Sequence, residues 1–139
     1  MSLDLTTTQI DLIKSSFAKV VPIADQAASL FYGRLFEIAP ETQPMFKSVD
    51  MSQQGVKLMQ MIGQAISLLN APEKLVPALQ HLGQRHVNYG VTQAHYDYVG
   101  TALLWTLEQG LGADFTDETR EAWAKVYTIM ADTAKSAAN

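Results

Sequence analysis

Leu75, Leu79, Leu82 and His86 follow one another at steps of four, three and four, a spacing that places all four side chains on one face only if the segment is helical. A strand would scatter them over two sides. The stripe is apolar until its last member, so the helix directs an imidazole toward the protein interior. A buried polar group without a partner costs about 1–3 kcal/mol, and two arrangements avoid that cost here. His86 is either a core histidine bonded to a backbone carbonyl or an axial ligand to an iron cofactor.

The helical period recurs along the rest of the chain, and nothing alternates at period two for long enough to make a strand. Thr6 or Thr8 caps a first helix through about Val20, with Ile10, Ile13 and Phe17 on one stripe. Pro22 suits the first turn of a second helix to about Ile38, whose buried face carries Ile23, Ala27, Leu30, Phe31 and Leu35. Pro40 and Pro44 forbid a long helix and leave a short helical turn and a loop through Asp50. A long helix follows from about Met51 to Leu69, with Leu58, Met59, Ile62, Ile66 and Leu69 on its apolar side. Pro72 and Glu73 open the helix that ends in His86, and Gly90 closes it. Thr92 starts the next, which bears Tyr96, Val99, Leu103 and Leu107 and stops at Gly110 and Gly112. Thr116, with Asp117 and Glu118 in the first turn, begins a last helix carrying Trp123, Val126, Tyr127 and Met130. The expectation is an all-α domain of six or seven helices, with more breaks than a simple four-helix bundle needs.

A length of 139 residues suits one domain with a sizeable core. No apolar run approaches the roughly 18 residues that span a bilayer, so membrane insertion is not expected. The first residues, MSLDLTTTQIDLIK, lack the basic-then-apolar order of a secretory signal. Ten basic and fourteen acidic residues give a net charge of −4 with no dense Lys/Arg patch, which argues against nucleic acid as a partner. A cytoplasmic location is expected. The chain has no cysteine, which excludes disulfides, iron–sulfur clusters, thiolate ligation and the C-x-x-C-H attachment of haem. Any haem would be held non-covalently.

Four segments occur in order at compatible spacing: LFYGRLFEIAPETQPMF (30–46), QQGVKLM (53–59), RHVNYGVTQAHYDYVG (85–100) and EAWAKVY (121–127). Together they make the chain resemble the globin family over residues 5–135, and within it the single-domain bacterial haemoglobins related to the haem domain of flavohaemoglobins. The resemblance implies one globin domain over residues 1–139, built around a non-covalent haem b with its iron.

On this resemblance His86 matches the proximal ligand to iron, whose second ring nitrogen donates to a neighbour that tunes the metal. Phe46 matches the aromatic that wedges against the haem, although an ordinary core phenylalanine would also be buried. Tyr32 matches the tyrosine that many bacterial globins place over the gas ligand, where its phenol donates to dioxygen; the alternative is a tyrosine whose tip reaches solvent. Gln54 matches the distal polar position, with Gln53 a rival one residue away. Leu58 favours Gln54, because four residues on it adds an apolar wall to the same helix face. Lys57 is placed to reach a haem propionate or to lie in solvent. Leu82, Val91, Val99, Leu103 and Met130 supply further apolar walls. His81 and His95 fall off the apolar stripes of their helices, and no two histidines have the i, i+4 spacing of a helix-borne zinc site.

In one respect the chain departs from its resemblance. Flavohaemoglobin-type haem domains set a tyrosine and a late glutamate beside the proximal histidine. Tyr96 matches the tyrosine, but the glutamate's place falls near Ala138 in a tail reading KSAAN, and Glu118 and Glu121 come too early. A weaker electronic push on the iron is expected, favouring reversible ligand binding over peroxidase-like bond cleavage. The function expected first is reversible binding of dioxygen, with CO and NO, for oxygen transport or storage. An alternative is nitric oxide dioxygenation with a separate flavin reductase, since the chain has no G-x-G-x-x-G fingerprint and no room for a reductase domain. A gas sensor is a third, and it would need a signalling partner.

Overall fold

Thr6 and Gln9 bond reciprocally at the start of the first helix. The Gln9 N–H donates to the Thr6 hydroxyl oxygen and the Thr6 N–H to the Gln9 side-chain oxygen, both at 3.0 Å. This capping box fixes the beginning of α1 (Thr7–Val20). In a computed structural model, which describes residues 4–88 and 91–138 with the side chains of 87, 88, 137 and 138 excepted, five more α-helices follow. Pro22 sits in a 3-10 turn, Val21–Ile23, that leads into α2 (Ala24–Ile38). Pro40 and Pro44 fall within a 3-10 segment, Pro40–Phe46, where they keep the chain from forming a longer α-helix. Asp50 then caps α3 (Met51–Ser67), accepting from the N–H groups of Ser52 and Gln53.

α4 (Pro72–Asn88) carries His86 in its last turn. The closing role expected of Gly90 lies outside the described residues. Thr92 caps α5 (Gln93–Leu111), and α6 (Asp117–Ala138) starts after Thr116, which accepts from the Thr119 N–H at 3.2 Å. One expected boundary is corrected. α5 runs through Gly110, where a Cβ would meet Ile23 Cδ1 at 3.3 Å, and it ends at Gly112, whose φ of +56° suits glycine. No strand occurs among the described residues. This is the all-α arrangement of a globin fold.

The main core gathers Ile13, Leu75, Trp123 and Val126, all fully buried. Burying each such side chain is worth about 1.5–3 kcal/mol. The Trp123 indole N–H finds its partner in the Ser16 hydroxyl at 2.8 Å, which ties α6 to α1. α4 packs on α6, while α3 packs on α2 and α1. Leu58 and Ile62 on α3 and Leu82 on α4 remain half-buried.

Candidate functional site

The first half of the site is set by a close crossing of α2 and α3. A Cβ on Gly55 would lie 2.9 Å from Ala28 Cβ, so the backbones meet where glycine faces alanine. Tyr32 follows Ala28 by one helical turn, and Gln54 immediately precedes Gly55, so the crossing brings them together. Gln54 Nε2 donates to Tyr32 Oη at 3.2 Å, whereas Gln53 is exposed. Tyr32 is itself buried, at 7% exposure. Its ring lies edge-on to Phe31 (5.0 Å between centroids) and Phe46 (5.3 Å), with Phe36 at 6.1 Å. Burial pushes the Tyr32 phenol above its ordinary pKa, an effect that the Gln54 hydrogen bond partly offsets. The phenol is neutral at physiological pH. Having accepted from Gln54, it keeps its own hydrogen for another acceptor.

The second half lies where α4, α5 and α6 meet. α4 approaches α6 so closely that a Cβ on Gly83 would fall 2.0 Å from the Ala134 carbonyl oxygen. His86, three residues on, is half-buried, and its Nδ1 lies 3.4 Å from Tyr96 Oη on α5. Burial, and to a lesser degree the nearby Arg85 charge, push the His86 pKa down, which favours the neutral imidazole, the form that ligates metals. Tyr96 is anchored in turn by α6. Its carbonyl accepts from Tyr127 Oη at 2.5 Å, and Lys135 Nζ lies 5.6 Å from its ring centroid. Tyr127 lies against bare Gly100, where a Cβ would come within 2.7 Å of its ring.

The apolar residues expected to wall a cofactor are half-buried and divide between these halves. Phe46, Leu58 and Val99 pack with Tyr32, Val91 packs with Tyr96, and Leu82 and Met130 lie against the main core. Leu103 touches both the Tyr32 group and the main core. The Val91 N–H donates to the His86 carbonyl at 2.9 Å, tying the segment after α4 back to it. Lys57, His81, Glu118 and Glu121 are exposed. His95 is buried in a local role, its Nδ1 accepting from the Thr92 N–H at 3.0 Å in the cap of α5. Among the described residues no three His, Cys, Asp or Glu side chains converge as metal ligands, and no helix is long and apolar enough to cross a membrane.

Sequence reasoning gave no site contact to Phe36, Tyr127 or Lys135. Phe36 was within reach, because it follows Tyr32 by four residues on the same helix. Tyr127 was placed as an apolar stripe residue, and nothing in its spacing shows that its hydroxyl grips a carbonyl on another helix.

Burial raises the pKa values of Tyr32, Tyr96 and Tyr127, and for Tyr127 the nearby Tyr96 and Asp97 add to it. These phenols hold their protons more tightly folded than unfolded. Their contribution to stability is therefore complete below the unfolded value of about 10 and is lost as pH rises through the folded values. Urea midpoints followed by circular dichroism should stay level from pH 8 to about 10, then fall. A midpoint unchanged at pH 11 would contradict the burial of these hydroxyls.

A model of the globin family matches residues 29–134, and the chain belongs to that family. It is 30% identical over 138 residues to a flavohemoprotein of Xylella fastidiosa, covering 97% of this chain and 34% of the relative. It is 32% identical over 127 residues to one of Chromobacterium violaceum, covering 86% of this chain and 31% of the relative. The chain thus spans about a third of the length of these flavohemoproteins. An anaerobic nitrite reductase of Brassica napus is 29% identical over 140 residues, covering 91% of this chain and 87% of the relative.

Proposed function

We propose that the chain is a single globin domain over residues 1–139 that binds haem b non-covalently and reversibly takes up dioxygen, with CO and NO, for oxygen transport or storage in the cytoplasm. The observation that carries this reading is the donor pair at the α2–α3 crossing, Gln54 bonded to a buried, neutral Tyr32 that still has a hydrogen to give. The residues fit a haem. His86 offers a neutral imidazole whose Nδ1 faces Tyr96 and would hold the iron. Half-buried Phe46, Leu58, Leu82, Val91, Val99, Leu103 and Met130 supply apolar contacts for a flat macrocycle. Lys57 is exposed and is assigned to a propionate at the rim.

When bound, haem supplies an iron whose remaining coordination position accepts a diatomic gas. The protein's own part is selection. A neutral amide is a poor iron ligand, so Gln54 would leave that position open while it positions Tyr32. The Tyr32 phenol donates to a gas that carries partial negative charge, and such a bond is stronger than one between neutral groups. Dioxygen gains more from it than CO does. Leu58 and Phe46 keep bulk water from competing for the phenol. The raised pKa of Tyr32 keeps the phenol in its protonated, donating form.

Tyr32→Phe should raise the dioxygen dissociation rate roughly tenfold, and Gln54→Leu roughly threefold, with CO dissociation changed less than about twofold. Stopped-flow ligand displacement measures all three. Equal dioxygen rates in the parent and Tyr32→Phe would overturn the distal assignment. The likeness to flavohemoproteins supports a second reading, nitric oxide dioxygenation, in which NO and dioxygen give nitrate and a separate flavin reductase returns one electron per cycle. Nitrate formation that depends on added reductase would favour it.

A further inference from the structure

Lys135 lies against the residue that touches His86. Its Nζ is 5.6 Å from the centroid of the Tyr96 ring and 4.0 Å from Asp97 Oδ1, and its side chain is 24% exposed. The hydroxyl of the same tyrosine is 3.4 Å from His86 Nδ1. The expected carboxylate position near Ala138 has its side chain outside the described residues. On the described face of Tyr96, α6 therefore presents a cation.

We propose that Lys135 is a positioning residue that acts through Tyr96 to weaken the electron donation of His86, so that the group held by His86 is easier to reduce and stays reduced. This rests on the haem reading above. A cation over an aromatic face draws on the ring's π density, and the phenol oxygen is conjugated with that ring. Tyr96 Oη then accepts less strongly from the His86 Nδ1–H, and the imidazole keeps more of its neutral character. A neighbour that pulls harder on that N–H makes an imidazole a stronger donor to its metal; Lys135 acts in the opposite sense. The positive charge beside the site also favours the reduced, less positive metal state, so both effects share one direction. Asp97 at 4.0 Å offsets part of the charge. Partial burial of the lysine stem limits the screening of what remains.

The test compares the haem-loaded parent with Lys135→Met, Lys135→Gln, Lys135→Arg and Lys125→Met. The last removes one positive charge from the same helix at a site paired with Asp4. Spectroelectrochemical titration gives the ferric-to-ferrous ratio at a fixed potential, and resonance Raman gives the ferrous iron–imidazole stretch. Lys135→Met and Lys135→Gln should each raise the ratio roughly two- to threefold and move the stretch to higher frequency. Lys135→Arg should stay close to the parent in both, and Lys125→Met should leave the stretch unmoved. An unchanged stretch in Lys135→Met and Lys135→Gln, with a ratio no different from that of Lys125→Met, overturns the proposal and leaves Lys135 as an ordinary surface cation. Failure of the parent to bind haem overturns the haem reading and this proposal together. A haem-loaded parent whose potential ignores Lys135 overturns this proposal alone.

Discussion

His86→Ala should leave the fold in place and reduce retained haem to below about a tenth of the parent level after gel filtration. The imidazole is the group in the described site best suited to iron: it is neutral, half-buried and bonded at Nδ1 to Tyr96. Alanine at the last turn of α4 removes that ligand without adding bulk. It suits a helix, so the α4–α6 packing should survive, and helical content by circular dichroism should match the apo parent. Imidazole added in solution should restore part of the haem absorption by filling the vacated space. Full haem retention by His86→Ala would mean that another residue holds the metal, and the two halves of the site would need a different assignment.

Gly83→Ala should lower stability by about 3 kcal/mol, roughly a 10 °C loss in Tm for a domain of this size. Its added Cβ would lie 2.0 Å from the Ala134 carbonyl oxygen and 2.7 Å from its carbon. Both are backbone atoms, so no side-chain rotation relieves the collision. α4 must retreat from α6, and His86 moves with it away from Tyr96. Haem retention should therefore fall together with Tm, although Gly83 lies outside the ligand set. Gly33→Ala is the control. It lies exposed on α2 with nothing within 4 Å of its added Cβ, and it should stabilise by about 0.5–1 kcal/mol. Differential scanning calorimetry separates the two. Equal Tm values for the parent and Gly83→Ala would contradict the close approach of α4 to α6.

The helices were legible because each carries its own instructions. Thr6, Asp50, Thr92 and Thr116 stand where helices start, and the prolines at 40 and 44 keep the segment after α2 out of α-helix. Gly110 misled, because a glycine near a helix end reads as a stop. Its neighbour Ile23 on another element instead occupies the space a side chain would need. Gln54 could be preferred over Gln53 from local spacing alone, because Leu58 shares its helix face. What stayed hidden depends on partners distant in sequence. Gly55 against Ala28 and Gly83 against Ala134 bring backbones together, and one sequence read alone does not show which glycines face another helix. The grip of Tyr127 and Lys135 on Tyr96 joins residues 31 and 39 positions apart. Helical periodicity puts such residues on faces without saying which faces meet.

The visible absorption spectrum of the purified protein, taken as isolated and again after dithionite reduction under argon, tests the central claim most directly. The account predicts a haem spectrum that becomes five-coordinate and high-spin on reduction and converts fully when CO is added. A six-coordinate, low-spin reduced spectrum would contradict the open position assigned beside Tyr32 and Gln54. A protein that takes up no haem, even when haemin is supplied, would contradict the role of His86 and the functional reading built on it.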